Sequence, residues 1–497
     1  MSGHAAAGGP PPSRDPGLAA LLRLARAELP PDAHLTVDQL DARLDEPVRV
    51  AITGRVKAGK STLLNALVGE RLAATGVGER TRLVSWYRWG QTPEVRMVSN
   101  DPTAGEVSVP FWRTGGELVT ELPEPVPADL DHLSVRWPAP SLRRRMLIDT
   151  PGLGALDSDA GLRTATFLGT DSDDSGARGA DAMVYLLRHR HHDDLAFLEA
   201  FGERGLARPT PVNAVGVLSR ADEIGGGDLD ALEVAARVAA RYREDPLLRP
   251  LCQTVVPVCG LLAETAGTLT DAEARALVSV GDADPAVRAV ALRSVDDLRD
   301  ERLQLGVSAP EREVLLTRLG LFGLRRACAA VREGHRTPGA LADELRRASG
   351  LDGLVEVIDR VFGQRGEVLT ARTTVAALAQ LAARYRVPGL HAAVEEYRSA
   401  RHEWRELEVL VALRAGHVPL PGDAVIEAAT LLGGEGTATT IRLGLPADTS
   451  PSDISARLQQ ALDRWQRRAG QPLAPPLAVA AADAVVRSLE GMIATLR

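Results

Sequence analysis

The chain has 497 residues and a net charge of −8, with a pI of about 5.8. That length suggests two to four domains with ample core, and the acidic balance excludes a general nucleic-acid-binding protein. The three cysteines, Cys252, Cys259 and Cys328, have neither a disulfide framework nor zinc-ligand spacing, which points to a reducing cytoplasm. Few aromatics among abundant Ala, Leu and Arg predict many helices. There is no secretory signal and no run of about 18 apolar residues, so the expected location is cytoplasmic, with any membrane contact peripheral and on the inner face of the cell membrane.

Residues 1–15, with Gly8-Gly-Pro-Pro-Pro12, read as a disordered lead. Residues 16–47 read as a helix segment. Apolar spacing predicts one helix from Leu18 to Leu29, and Thr36-Val-Asp-Gln39 resembles a capping box opening a second that runs to about Leu44. A helix placed before the first strand must pack on something, and the C-terminal helices are the expected partner.

Val48-Arg-Val-Ala-Ile-Thr53 then reads as a buried strand. It leads into Gly54-Arg-Val-Lys-Ala-Gly-Lys-Ser61, which fits the phosphate-binding pattern GxxxxGK[ST], and into the helix-forming Thr62-Leu-Leu-Asn-Ala-Leu-Val68, stopped by Gly69. Backbone N–H groups of such a loop and the following helix N-terminus attract phosphate. The nucleotide-binding candidates here are Gly54, Arg55, Val56, Lys57, Ala58, Gly59, Lys60, Ser61 and Thr62. Lys60 would reach the β- and γ-phosphates and Ser61 would hold Mg²⁺. Only two of the 58 Lys and Arg residues are lysines, Lys57 and Lys60. A compact ammonium enters a crowded phosphate cradle where a planar guanidinium fits differently.

Beyond it, Leu72-Ala-Ala-Thr-Gly-Val-Gly-Glu-Arg-Thr-Arg82 reads as a mobile loop marked by its glycines, with Thr81 the candidate hydroxyl for the metal. Leu83 to Arg88 reads as a strand, and residues 92–140 as antiparallel additions at the sheet edge. Arg145-Met-Leu-Ile-Asp-Thr-Pro-Gly152 is a strand ending in DxxG. Asp149 would hold the metal's hydration shell, and the Gly152 N–H would approach the γ-phosphate closely. Residues 153–180, with Asp171-Ser-Asp-Asp174, look mobile. After the strand Ala182–Leu187 comes a cluster of His189, His191, His192, Asp193 and Asp194, read as a polar loop whose Asp193 starts a helix rather than as a metal site.

Val212–Leu218 is a strand ending in Ser219-Arg-Ala-Asp222. The Asp222 carboxylate would accept from the N1–H and exocyclic amine of guanine, with the Arg220 stem along the base and Ser219 beside it; adenine offers no such donor pair. Val255-Val-Pro-Val-Cys-Gly260 is a last strand, with Cys259 and Gly260 placed to offer a backbone N–H to the guanine O6. Residues of about 261–345 read as a helical insertion, and 349–362 as the helix closing the nucleotide domain. Helices then run to about Tyr385, from Leu390 to Leu413, from Ile454 to Ala469 and from Leu477 to Leu496.

With these motifs assembled, the chain resembles the dynamin-like GTPases, in particular the bacterial branch and its smaller isoniazid-inducible members from actinobacteria. The resemblance implies an α/β fold: a P-loop GTPase domain (48–365, a mostly parallel sheet flanked by helices) plus a short α-helical bundle (366–497) completed by the N-terminal helix segment. It implies GTP as substrate, GDP as product, and Mg²⁺ as cofactor. It also implies a homodimer, or a heterodimer with another dynamin-like protein, formed through the GTPase domain. Peripheral lipid contact through a bundle tip follows too, with Arg386–Leu390 and the loop 414–423 as candidates; no nucleic acid is expected. Catalysis would rest on Lys57, Lys60, Thr81 and Gly152, and the metal on Ser61, Thr81 and Asp149. Two departures matter. Val56 stands where eukaryotic dynamins carry a water-positioning Gln, and Leu153 where small Ras-like GTPases carry theirs. Hydrolysis is therefore expected to be slow unless dimerised. Lys57 is either a cation acting in cis on the transferring phosphoryl group or the cap of a loop carboxylate. The alternative function is a nucleotide-gated subunit that pairs with a larger dynamin-like partner.

Overall fold

The computed structural model describes residues 15–74, 83–101, 104–127, 129–151, 179–188 and 212–496. Gly76–Arg82 with Thr81, Gly152, Leu153, Asp171–Asp174 and the His189–Asp194 cluster lie outside these residues.

Two antiparallel-linked helices open the chain. Pro16–Glu28 (α1) starts on Asp15, whose carboxylate accepts from the Gly17 N–H at 3.0 Å. Pro31–Arg43 (α2) starts at Pro31, five residues before the expected capping box, and has no side-chain cap. A proline at the first helical position lacks only an N–H that the helix would leave unpaired, and its fixed φ already suits the helix. Thr36 therefore sits inside a helix already under way.

The strands follow in the expected order: Val48–Gly54 (β1), then helix Lys60–Val68 (α3), Ser85–Trp89 (β2), Glu94–Ser99 (β3), Glu106–Ser108 (β4), Phe111–Thr114 (β5), Glu117–Thr120 (β6), Leu130–Trp137 (β7), Arg145–Asp149 (β8), Ala182–Leu187 (β9), Ala214–Ser219 (β10), helix Ala231–Arg243 (α4) and Val255–Val258 (β11). Nine of the described strands form one sheet in the order β11-β10-β9-β1-β8-β2-β7-β3-β4, and β5 pairs with β6 apart from it. From β11 to β8 all pairings are parallel. Beyond β8 the sheet turns mixed: β2 is antiparallel to β8 and parallel to β7, and β3 is antiparallel to β7 and β4. Both faces of the parallel part are covered, which is why β1 reads as an unbroken apolar run. Val50, Ile52, Leu147 and Val184 face Leu63, Leu64 and Leu67 of α3 on one side. Ala51, Met146, Ile148 and Met183 face Ala235 and Ala239 of α4 on the other.

The insertion is helical: Gly260–Thr268 (α5), Asp271–Asp282 (α6), Pro285–Ala291 (α7), Val295–Arg299 (α8), Ala309–Arg332 (α9) and Pro338–Ala348 (α10). Capping boxes at Thr270/Glu273 and Ser308/Glu311 start α6 and α9, and α9 is broken at Gly320 (φ 64, ψ 177). Leu351–Ile358 (α11) closes the nucleotide domain by burying Leu351, Leu354 and Ile358 beneath the sheet.

Gly366–Arg384 (α12), Pro388–Ala400 (α13), His402–Arg414 (α14), Gly422–Leu431 (α15), Thr439–Arg442 (α16), Pro451–Ala469 (α17) and Pro476–Thr495 (α18) complete the described chain. The single helix expected from Leu390 to Leu413 is two, because Arg401 is extended (φ −90, ψ 112). Its guanidinium pairs with Asp15 and lies 4.9 Å from the Tyr397 ring centroid. The helices α15 and α16 were not anticipated. The bundle has two cores. One joins Leu18, Leu22 and Val37 of the N-terminal helices to Leu378, Leu390 and Val394. The other joins α14 to α18 around a fully buried Trp465 and takes in Val212 of the nucleotide domain. No helix among the described residues is long and apolar enough to cross a membrane.

Two joints tie the bundle to the sheet. At the first, the buried Asp181 carboxylate pairs with Arg43 of α2 and accepts from the Arg49 N–H at 2.8 Å and the Thr373 hydroxyl of α12 at 2.8 Å. At the second, Gln253 donates to the Gly434 carbonyl and accepts from Arg414 at 2.6 Å. These contacts fold the loop 414–423 toward the protein: Val418 is buried there, as is Leu390 in the other turn expected to meet lipid.

Candidate nucleotide-binding site

Parallel strands bring the motifs to one edge, because each motif follows the carboxyl end of its strand. Gly54 ends β1, Asp149 ends β8 and Ser219 ends β10. Gly59, at φ 95, precedes α3 in a left-handed conformation that glycine alone adopts without penalty. The loop thereby turns its amides inward and starts the helix at Lys60. Lys60 is 8% exposed, and its ammonium donates to the carbonyls of Gly54 (3.3 Å) and Arg55 (3.2 Å) inside the loop. Burial lowers its pKa, with the Asp149 charge opposing that shift.

Ser61 donates to Asp149 Oδ2 at 2.9 Å, while the buried Oδ1 of Asp149 has no hydrogen-bond partner among the described residues. Burial pushes the Asp149 carboxyl up to about 6, against the pull of Lys60 and Ser61. Both members of the Lys60–Asp149 pair are shifted toward neutrality, so desolvation outweighs their mutual attraction. A hydroxyl beside an orphaned carboxylate oxygen is an all-oxygen donor set at a phosphate loop, and it fits a hard divalent cation such as Mg²⁺.

Lys57 is exposed and held at φ 63, a left-handed conformation costing on the order of 1 kcal/mol for a non-glycine residue. Its carbonyl accepts from Arg220 Nη2 at 3.1 Å, which links the phosphate loop to the base loop. Arg220 also donates to Glu223 at 2.6 Å, and Arg188 supports Glu223 from the other side at 3.0 Å. Val56 is 55% exposed and apolar.

On the base side, Asp222 lies in the short 3-10 helix Ala221–Gly227. The Cys259 thiol is hydrogen-bonded to Asp222, and burial first, then that carboxylate, pushes its pKa well up. Two of the expected groups already have partners among the described residues. The Cys259 N–H is given to the Ser349 carbonyl at 2.9 Å, whereas Gly260 stands at the first position of α5, where a helix has no internal partner for its N–H. Ser219 turns its hydroxyl to the Leu187 carbonyl (3.2 Å), tying β10 to β9 instead of facing the pocket. Gly260 meets Thr62: a Cβ built on it would be 3.5 Å from Thr62 Cγ2. Lys60, Ser61, Asp149, Asp222 and Gly260 are thus brought together. Thr81 and Gly152 lie outside the described residues.

Two positions escaped sequence reasoning. Ser349 lies far along the chain and carries no local signal. Asn65 carried one: it is a fully buried polar residue within the apolar run of α3. Its side chain accepts from the Leu72 and Ala73 N–H groups (2.9 and 2.8 Å) and donates to Ala73 O (3.0 Å) and Glu264 (2.8 Å).

Fold and site define a P-loop domain with helices on both faces of its sheet and a helical bundle attached. Residues 50–160 match the Dynamin family. The chain is 39% identical over 466 residues to the Isoniazid-induced protein IniC of Mycobacterium tuberculosis, covering 93% of each chain. The chain belongs to the dynamin family and carries its GTPase domain. It is also 34% identical over 116 residues to the Isoniazid-induced protein IniA of the same organism, 22% of this chain and 18% of that one. A solved bacterial dynamin pair, described as sensing and tethering membranes, aligns at 13% identity and a TM-score of 0.30, covering 97% of this chain and 76% of that chain.

Proposed function

We propose that the chain binds GTP with Mg²⁺, hydrolyses it slowly as a monomer, and couples pairing of its GTPase domains to remodelling or maintenance of a membrane at the cytoplasmic face. The observation that carries this is the convergence of Lys60, Ser61 and the half-partnered Asp149 on the same strand ends as Asp222. Lys60 and the loop amides bind the β- and γ-phosphates. Ser61 and Asp149 hold Mg²⁺, which when bound supplies positive charge to the phosphate oxygens. Thr81 completes that set and orients water, and the Gly152 amide meets the γ-phosphate. Asp222 accepts from the guanine N1–H and amine, and the Gly260 N–H donates to O6. Val56 has no group to orient water, so Lys57 supplies the missing charge in cis at the β–γ bridge. Purified protein with Mg²⁺ should take up labelled GTP in preference to ATP, and its turnover per molecule should rise with protein concentration. ATP bound equally well would end this reading.

Lipid contact is assigned to the turn between α17 and α18. Leu473 there is 98% exposed and Leu477 58%, and Arg467 and Arg468 close α17 beside them. Exposed leucines with flanking cations suit an anionic bilayer surface. A second reading, the nucleotide-gated subunit of a larger partner, is favoured by the burial of Leu390 and Val418, which withdraws an apolar anchor from each of the other two turns. Co-sedimentation of this protein alone with anionic liposomes separates the two. Binding lost in Leu473→Asp supports the first reading; no binding with or without GTP supports the second.

A further inference from the structure

We propose that Arg325, on the helical insertion, is the positioning residue for the guanine-reading loop, so that the insertion sets base selectivity. This rests on the GTP reading above and gives the insertion, α5 to α10, a task that reading leaves unassigned.

The loop Ala221–Gly227 carries Asp222. Its near end is fixed from below and from the phosphate side: Ala221 is fully buried and Arg220 grips the Lys57 carbonyl. Its far end is fixed from the insertion. Arg325 donates from Nη1 to the Gly227 carbonyl at 2.8 Å, from Nε to Leu292 O at 2.8 Å and from Nη2 to Arg293 O at 3.0 Å. One guanidinium therefore binds three main-chain carbonyls on two segments, the base loop and the link after α7. A rigid, permanently charged fork suits that span, whereas a lysine offers a single point of attachment.

The far end bears directly on Asp222. Gly227 closes the turn at φ 74, and a Cβ there would stand 3.3 Å from the Asp222 carbonyl. Freedom at Gly227 is thus freedom of the Asp222 peptide. The same helix holds the other base-side element. Arg318, just before the break at Gly320, donates to Thr268 Oγ1 at 2.7 Å, to Thr268 O at 3.1 Å and to Glu273 at 2.8 Å, and its own carbonyl accepts from Thr265 at 2.7 Å. Those contacts steady α5, which begins at Gly260. The break at Gly320 lets α9 serve both elements, Arg318 on one side of it and Arg325 on the other.

Inosine lacks the exocyclic amine that a well-placed Asp222 accepts from, so the ratio of GTP to ITP affinity reports the placement of that carboxylate. Arg325→Ala should lower this ratio about tenfold, with kcat at saturating GTP within about twofold of wild type, because the phosphate loop is untouched. Arg325→Lys should recover part of the ratio. Gly227→Ala, which strains the loop while leaving Arg325 in place, should lower it as well. Arg302→Ala, elsewhere on the insertion and paired with Asp300 on the surface, should keep the wild-type ratio. An unchanged ratio in Arg325→Ala, or in Arg325→Lys where the alanine variant does not fold, overturns the proposal. So does an equal loss of GTP and ITP binding, which marks a merely structural role. Wild-type protein that does not prefer GTP over ITP overturns this proposal and the function it rests on together.

Discussion

The proposed phosphate half and base half of the pocket are built differently. The phosphate half draws on two segments: one loop supplies Lys60 and Ser61, and the end of the adjacent β8, 88 residues away in sequence, supplies Asp149. The base half is assembled from pieces scattered along the chain: Arg220 and Asp222 after β10, Gly260 after β11, Ser349 before α11 and Arg325 in the insertion. A site drawn mostly from one loop is fixed largely by local backbone geometry and tolerates drift elsewhere. An assembled site depends on tertiary packing, and is where distant substitutions should be felt. The first half should therefore fail in turnover and metal binding, and the second in affinity and selectivity.

The largest effect expected is on turnover. Lys57→Ala should lower kcat on the order of 10³-fold while GTP affinity stays near wild type; single-turnover assays at saturating GTP would show it. A wild-type kcat would return Lys57 to a role in shaping the loop. Next, Asp222→Asn should weaken GTP binding about 100-fold, since a charged acceptor of two hydrogen bonds is replaced by a neutral one. It should leave kcat at saturation little changed. If kcat falls instead, the two halves are not separable and the comparison fails.

A smaller effect concerns pH. The Asp149 carboxyl is raised from 3.8 to about 6 by burial. In metal-free protein its contribution to stability is fully present below about pH 3.8 and is lost as pH rises through about 6. Mg²⁺ needs the ionised form. Its apparent affinity should therefore fall as pH drops through the titration of that carboxyl, and added Mg²⁺ should raise Tm more at neutral than at acid pH. Titration of Mg²⁺ across that range checks it, and a pH-independent affinity would show that Asp149 does not face the metal.

The smallest effect is on stability alone. Ser349→Ala removes the hydroxyl that accepts from the Leu351 N–H (3.1 Å) and donates to the Arg346 carbonyl (2.6 Å), but keeps the carbonyl that receives Cys259. It should cost about 1–2 kcal/mol by thermal unfolding and leave GTP affinity within a few-fold. A large loss of affinity would tie the base half directly to α11.

The same contrast explains what could be read from the sequence. The strand into the P-loop, the loop itself and the order of strands were legible because each is a local pattern. The place of Asp222 just beyond β10 was legible because its motif follows a strand. Arg325 and Ser349 were not, since their partners lie far away in sequence and neither sits in a recognisable pattern. The start of α2 was misread because Thr36 and Gln39 mimic a cap, while Pro31 had already fixed the helix. The break at Arg401 has no Pro or Gly to mark it in the sequence, and the Asp15 that pairs with Arg401 there lies at the far end of the chain. Burial of Leu390 and Val418 likewise depends on docking that no local window contains.

Asp181 has a consequence for how separable this molecule is. Its carboxylate sits between the sheet and the bundle, paired with Arg43 of a helix that precedes the domain and hydrogen-bonded by Thr373 of one that follows it. An isolated nucleotide domain would lose both the Arg43 guanidinium and the Thr373 hydroxyl and would open that seam, with its apolar surroundings, to water. What looks like an enzyme with helical attachments is therefore one cooperative body at that seam, and excising the sheet would yield a damaged fold rather than a minimal GTPase.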